Sequence, residues 1–319
     1  EGMVTRTLVA LDGAPKGVLS PFAAKGLTRD DVAAIPADST IAVGLRMAPD
    51  EIWKHSMDLF AQAEPRQKER FDRDLAAFEQ ELGFRIVDDL LAPLGDTWYV
   101  YNSPSEGGLV FTGATLVAKV KDARKLAATQ EKLANIMRQE LNREGRHRGI
   151  FLKSFEFGGK TVYFLNPVGM NDDMPFAPAW CLTDKELVFG LYPTSVKAYL
   201  SRQGKPAAAK GGFADTAAAK QIWKDGKAPV VFAYVDTPSI GRDLYGAMQP
   251  LMTLMFAELQ RSGIEMDMSM VPSADAILPH VMADTLAIYR TDNGLLIESR
   301  GSVPAGGTML MVPTMFFMA

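Results

Sequence analysis

Only one of the 319 residues is cysteine and only three are histidine, so the chain is short of the side chains that most metal and nucleophile chemistry uses. One thiol excludes an internal disulfide. Cys181 sits in Ala179-Trp180-Cys181-Leu182, a run that reads as a buried strand, and no basic residue flanks it to make the thiol reactive. A lone buried thiol does not separate one redox compartment from another. His55, His147 and His280 stand in three distant segments, and none belongs to a recognised metal-binding motif. No His-Glu-x-x-His or Cys-x-x-Cys occurs, which argues against a standard zinc site. Nucleophile elbows, Ser-x-x-Lys and glycine-rich phosphate loops are also missing, so neither a nucleotide site nor any other cofactor is expected.

Long apolar and long basic runs are absent as well. The longest apolar stretch, Met309 to Ala319, is broken by Pro313 and is too short for the roughly 20 residues of a membrane span; it reads as a strand packed on the core. The formal net charge is −4, and the densest basic stretch, Arg143 to Arg148, holds three arginines and one histidine. Neutralising phosphates needs clustered Lys and Arg, so no nucleic-acid partner is expected. Glu1 in place of a starting Met suggests a piece of a longer precursor, whose other parts would carry any targeting signal or membrane association.

What is present is an ordinary globular composition, 47% hydrophobic and 23% charged, at a length where one core gives way to two domains. An internal correspondence stands out. Asp96-Thr97-Trp98-Tyr99-Val100-Tyr101 and Asp284-Thr285-Leu286-Ala287-Ile288-Tyr289 share Asp-Thr-x-x-x-Tyr, each followed by Gly-Leu, at Gly108-Leu109 and Gly294-Leu295. Upstream, strand-like runs at Thr40 to Leu45 and Pro229 to Tyr234 each lead to a proline able to open a helix, Pro49 and Pro238, at almost the same offset. Two features at one spacing suggest a duplicated unit of strand, helix, connection and hairpin. In both copies the Asp-Thr pair is expected to end a loop by bonding nearby backbone amides. Gly2 to Leu11 resembles Gly294 to Val303, the last strand of the unit.

The expected fold class is therefore α+β, with two related lobes of largely antiparallel sheet and helices packed on one face. Residues 1–27 form a terminal strand and linker of a preceding element, 28–202 the first lobe, 203–212 a Gly- and Ala-rich linker and 213–319 the second lobe. Helical spacing over Trp53 to Leu82 predicts two helices separated at Pro65, and Asp122 caps a helix running to Arg143. Two hairpins are predicted, turning at Gly158-Gly159 and Asp184-Lys185, followed by a helix from Thr194 to Arg202.

Acidic pairs occur at Asp88-Asp89 and in Asn171-Asp172-Asp173, but neither has calcium-loop spacing. The most unusual composition lies in the second half. Met252, Met255 and Phe256 recur with Leu259 at helical spacing, which reads as a helix packed on the sheet; the sharper alternative is an adaptable apolar groove. Met266, Met268 and Met270 would share one face if extended, an arrangement suited to Cu(I), yet no His or Cys lies near and no metal is expected. These six residues are the candidate ligand-binding set, for an apolar ligand or a partner protein.

The segments Asp30 to Asp38, Leu94-Gly95-Asp96 and Leu116 to Leu126 resemble uncharacterised bacterial families of secreted or membrane-anchored proteins, known as domains of unknown function. That resemblance implies an extracytoplasmic location and supplies no catalytic residue. The expectation is a non-catalytic binding or interaction protein. The alternatives are a hydrolase with a spatially assembled site and a structural component of an envelope assembly. Exposed edge strands at Gly2 to Leu11 or Leu295 to Val303 would point to the last.

Overall fold

The computed structural model describes residues 2–13, 15, 25–107, 112–148, 151–166, 176–203, 211–263 and 271–302. The strands are β1 (Met3–Ala10), β2 (Ile41–Arg46), β3 (Leu94–Asn102), β4 (Ala114–Val120), β5 (Phe151–Phe157), β6 (Lys160–Asn166), β7 (Ala179–Leu182), β8 (Glu186–Gly190), β9 (Pro229–Val235), β10 (Asp284–Thr291) and β11 (Gly294–Gly301). The helices are α1 (Pro49–Ala63), α2 (Pro65–Leu82), α3 (Pro104–Gly107), α4 (Ala123–Arg148), α5 (Pro193–Gln203), α6 (Ala217–Ile222), α7 (Thr237–Arg261) and α8 (Ala274–Ile277).

Local chemistry explains most boundaries. Pro49 and Pro65 open α1 and α2, where a missing N–H costs nothing because the first helical donors have no partner. Gly83, at φ 69°, closes α2 in the left-handed conformation. Asp122 accepts from the Lys125 amide at 3.0 Å at the start of α4, and Asp236 caps α7 by accepting from the Ser239 amide. The β5–β6 turn places Gly158 and Gly159 at φ 57° and 72°, the doubly left-handed geometry that a two-residue hairpin needs. The second hairpin, β7–β8, turns at Asp184 and Lys185, as the alternation predicts.

The described strands form one antiparallel sheet of 11, in the order β1-β11-β10-β9-β2-β3-β4-β8-β7-β6-β5. The chain is thus α+β as expected, but its two halves share a single sheet. They join where β2 pairs with β9, Ile41 opposite Val235 and Leu45 opposite Val231. One core also runs across the junction, including Tyr99, Tyr101 and Val117 from one side and Phe213, Phe232 and Tyr289 from the other. Separate lobes would have left an edge of β2 and an edge of β9 unpaired, whereas here those two edges pair with each other. Residues 1–27, expected to finish a preceding element, supply β1, which pairs with β11 along its length from Met3 opposite Gly301 to Ala10 opposite Gly294. Most of the expected linker, 204–210, lies outside the described residues, as do Asn171 to Asp173 and the run from Met309 to Ala319.

The repeated Asp-Thr pair does not act through nearby backbone amides. Asp96 and Thr97 lie within β3, and Asp284 and Thr285 are the first two residues of β10. Asp284 is fully buried and accepts from the hydroxyl of Thr237, the first residue of α7, at 2.6 Å. The Asp96 backbone carbonyl accepts from the Met47 amide just after β2. Each aspartate therefore fastens the strand to the exit of its neighbour, a cross-strand role that no local turn pattern reveals.

Two predictions follow from this packing. At the central junction a Cβ on Gly44 would come within 2.2 Å of the Phe232 ring, which is itself fully buried and stacked on Phe213. Gly44→Ala should cost about 1–3 kcal/mol in chemical denaturation; an unchanged midpoint would show that the junction yields freely. Cys181 is buried in β7 and burial pushes its thiol up to about 11. A small alkylating reagent should label it only once denaturant is added, and stoichiometric labelling of the native protein would contradict this placement.

Candidate functional site

Three tyrosines and one arginine organise the interior beside a cleft. Alternation along β3 puts Tyr99 and Tyr101 on the same side of the sheet, their rings 6.5 Å apart and both buried. From α5, Tyr199 meets Tyr99 hydroxyl to hydroxyl at 3.0 Å and donates to Glu186 on β8 at 2.5 Å. Lys119 on β4 neutralises Glu186. Arg202, one turn further along α5, spends all three kinds of guanidinium nitrogen: Nε on Glu106, one terminal nitrogen on the Ala34 carbonyl and the other on the Tyr101 hydroxyl at 2.7 Å. Its carbon also lies 5.4 Å from the centre of the Tyr199 ring and 5.6 Å from that of Tyr101.

Burial dominates the electrostatics. It raises the phenols of Tyr99, Tyr101 and Tyr199 above their ordinary value, so they act as neutral hydrogen-bonding groups. Burial also pushes the Glu106 carboxyl up, against the opposing charge of Arg202. The network ties α3, α5, β3 and the Arg29–Asp38 segment into one unit.

Above it lies a cleft of about 880 Å³, within the size range of small-molecule sites. Tyr199, Arg202 and Gln203 form one wall, and Asp38, Ser105 and Asp215 contribute polar groups. Asp38 already accepts from the Ser103 hydroxyl at 2.8 Å and the Ser105 amide at 3.1 Å. Neither His55, on α1, nor His280, in a short 3-10 turn after α8, lines this cleft. The sequence reading missed this constellation. Its one legible signal was the Tyr99–Tyr101 alternation, because Glu106 and Arg202 meet across 96 residues.

The Met-rich candidate set divides. Met266, Met268 and Met270 lie outside the described residues. Phe256 is buried and Met252 half-buried, so Phe256 packs inward and does not line a groove. Met255 is 52% exposed, contrary to the expectation of a helix whose apolar residues all pack. Helical geometry separates the two: consecutive residues point about 100° apart, so Met255 faces outward when Phe256 faces inward. The apolar arc of α7 is wider than a single contact can cover. Leu244, Met248, Leu251 and Leu254 join Met255 on the exposed side, with Leu254 exposed to 69%. The helix is tied down elsewhere, by the Thr237–Asp284 bond at its start and by the Tyr245 hydroxyl donating to the Pro272 carbonyl at 2.6 Å.

Removing Arg202 tests the network. Arg202→Met leaves the Glu106 carboxylate buried without its cation and should cost about 2–4 kcal/mol, below the range for a fully buried pair because part of Arg202 meets solvent. Adding Glu106→Gln to that variant should recover part of the loss. Equal stability of wild type and single variant in urea titrations would remove the network from any structural role.

Comparison of this chain with protein-family models, with curated proteins and with solved structures found no match.

Proposed function

We propose that this chain is a non-catalytic binding or interaction protein and that the outer face of α7 takes its partner. One observation carries the reading. Leu244, Met248, Leu251 and Met255 repeat at spacings of four, three and four along one side of the helix, and all are exposed. That spacing is the seam by which two helices interdigitate, so the fitting partner is the apolar face of another helix. Unbranched Met248 and Met255 let such a seam adapt to different side chains. Large exposed apolar patches on soluble domains mark interaction sites more often than they occur by chance.

The polar cleft beside Arg202 supports a second, smaller reading as a small-molecule pocket, since its walls are prearranged by the buried network. An extracytoplasmic setting rests on the resemblance of the Asp30 to Asp38, Leu94 to Asp96 and Leu116 to Leu126 segments. We also infer that the halves arose by duplication. Both β2-α1-α2-β3-β4 and β9-α7-β10-β11 run from a strand through helix to an antiparallel pair, and each starts at the shared β2–β9 junction.

Stability and contact should separate on α7. Phe256→Ala should cost about 3–5 kcal/mol, whereas Met255→Ala should cost well under 1 kcal/mol because little of its surface leaves water. A photo-crosslinking residue at Leu251 should yield a discrete protein adduct in cells, and one at Arg242, off the seam, should not. Comparable losses for the two truncations, or adducts independent of position, would reject the seam.

A further inference from the structure

The two ends of the sheet are guarded differently. β5, at one end, carries Lys153 and Glu156, charges of the kind that discourage strand addition. β1, at the other end, reads Met-Val-Thr-Arg-Thr-Leu-Val-Ala, and Met3, Val4, Leu8 and Val9 are exposed. Among the described residues no strand pairs with its outer side. Its single charged residue, Arg6, donates to Glu298 on β11 at 2.8 Å, within its own sheet, and stays largely exposed. β1 contains no proline, and its pairing with β11 runs without a bulge.

We propose that β1 is a self-association edge: two copies of this chain pair their β1 strands antiparallel about a two-fold axis through Thr7, continuing the sheet from one copy into the other.

Symmetry and charge select that register. In a two-fold antiparallel pair, hydrogen-bonded and non-bonded positions alternate, so one residue must face its own copy. Centring on Thr7 sets Val4 against Ala10, Thr5 against Val9 and Arg6 against Leu8 of the second copy, using the strand from Val4 to Ala10. Centring on Arg6 uses as long a stretch but places two guanidinium groups directly opposite, which is destabilising. Centring on Thr5 or Leu8 shortens the overlap to residues 3–7 or 6–10. Only the Thr7 register combines full overlap with separated charges, and its Thr–Thr and apolar cross-strand pairs are favourable ones. Leu8 of one copy also covers the aliphatic stem of Arg6 of the other, burying side chains that now face water. A second copy fits this edge because the strand is complementary to itself in this one register.

Cysteine placement reads the register directly, since Cys181 is buried and contributes no background. In the full chain, Thr7→Cys should form an intermolecular disulfide under mild oxidation, because facing residues bring their Cβ atoms to about 4.5–5.5 Å. Thr5→Cys, which faces Val9, should not, whereas Thr5→Cys with Val9→Cys should. Sedimentation should report a dimer that Thr7→Lys weakens about tenfold or more, with the circular dichroism of the fold unchanged. A wild-type monomer at the highest soluble concentration overturns the proposal, as does crosslinking at Thr5 equal to that at Thr7. A dimer that survives Thr7→Lys but separates on Leu251→Glu with Leu254→Glu assigns self-association to α7 and also overturns it, leaving the α7 seam standing.

Discussion

Everything in the molecule is arranged around the pairing of β2 with β9. Their paired residues lie from 186 (Leu45 and Val231) to 194 (Ile41 and Val235) positions apart in the chain, and their contact turns two local strand sets into one surface. Gly44 makes the contact possible by leaving room for the Phe232 ring, which in turn anchors Phe213 and Trp223. The buried aspartate of β10 then fixes where α7 departs, and the carbonyl of Asp96 does the same for the chain leaving β2. Helix placement on either side is thus subordinate to the sheet's central seam.

The buried Tyr–Arg–Glu network serves a different end. Burying a carboxylate and a guanidinium is costly unless every donor and acceptor is met, and here Arg202 is matched on all sides. Such a network contributes little net stability compared with apolar packing. Its effect is to allow one arrangement of α5 against β3 and the Arg29–Asp38 segment, because any shift orphans a buried charge. The cleft beside it inherits that rigidity, while the seam on α7 stands on a helix fastened mainly at its start and along its inner face.

Much of this was legible in the sequence where the governing forces are local. Both hairpins, the break at Pro65, the helix starts near Pro49 and Pro238 and the Asp122 cap follow from turn geometry, proline and side-chain capping. The union of the halves was not legible, because the alternation of Ile41 to Leu45 is the same whether the strand closes its own sheet or joins another. The Asp-Thr pair misled for a related reason: its acceptor role depends on Thr237, far from Asp284 in the chain. On α7 the helical period predicts which residues share a side but not which side meets the body, so Met255 and Phe256 could not be told apart. Arg202 and Glu106, both ordinary surface residue types, acquire meaning only once folding brings them together.

The pairing of β1 with β11 has a consequence for how the protein is made. The bond from Arg6 to Glu298 closes a span of 292 residues, so β1 cannot take its place beside β11 until that whole span has been synthesised. Until then a β-prone segment, its one charge at Arg6 still unpaired, waits without its partner while that span is added at several residues per second. The speed at which β11 arrives therefore sets how long both edges of β1 stay open to other strands.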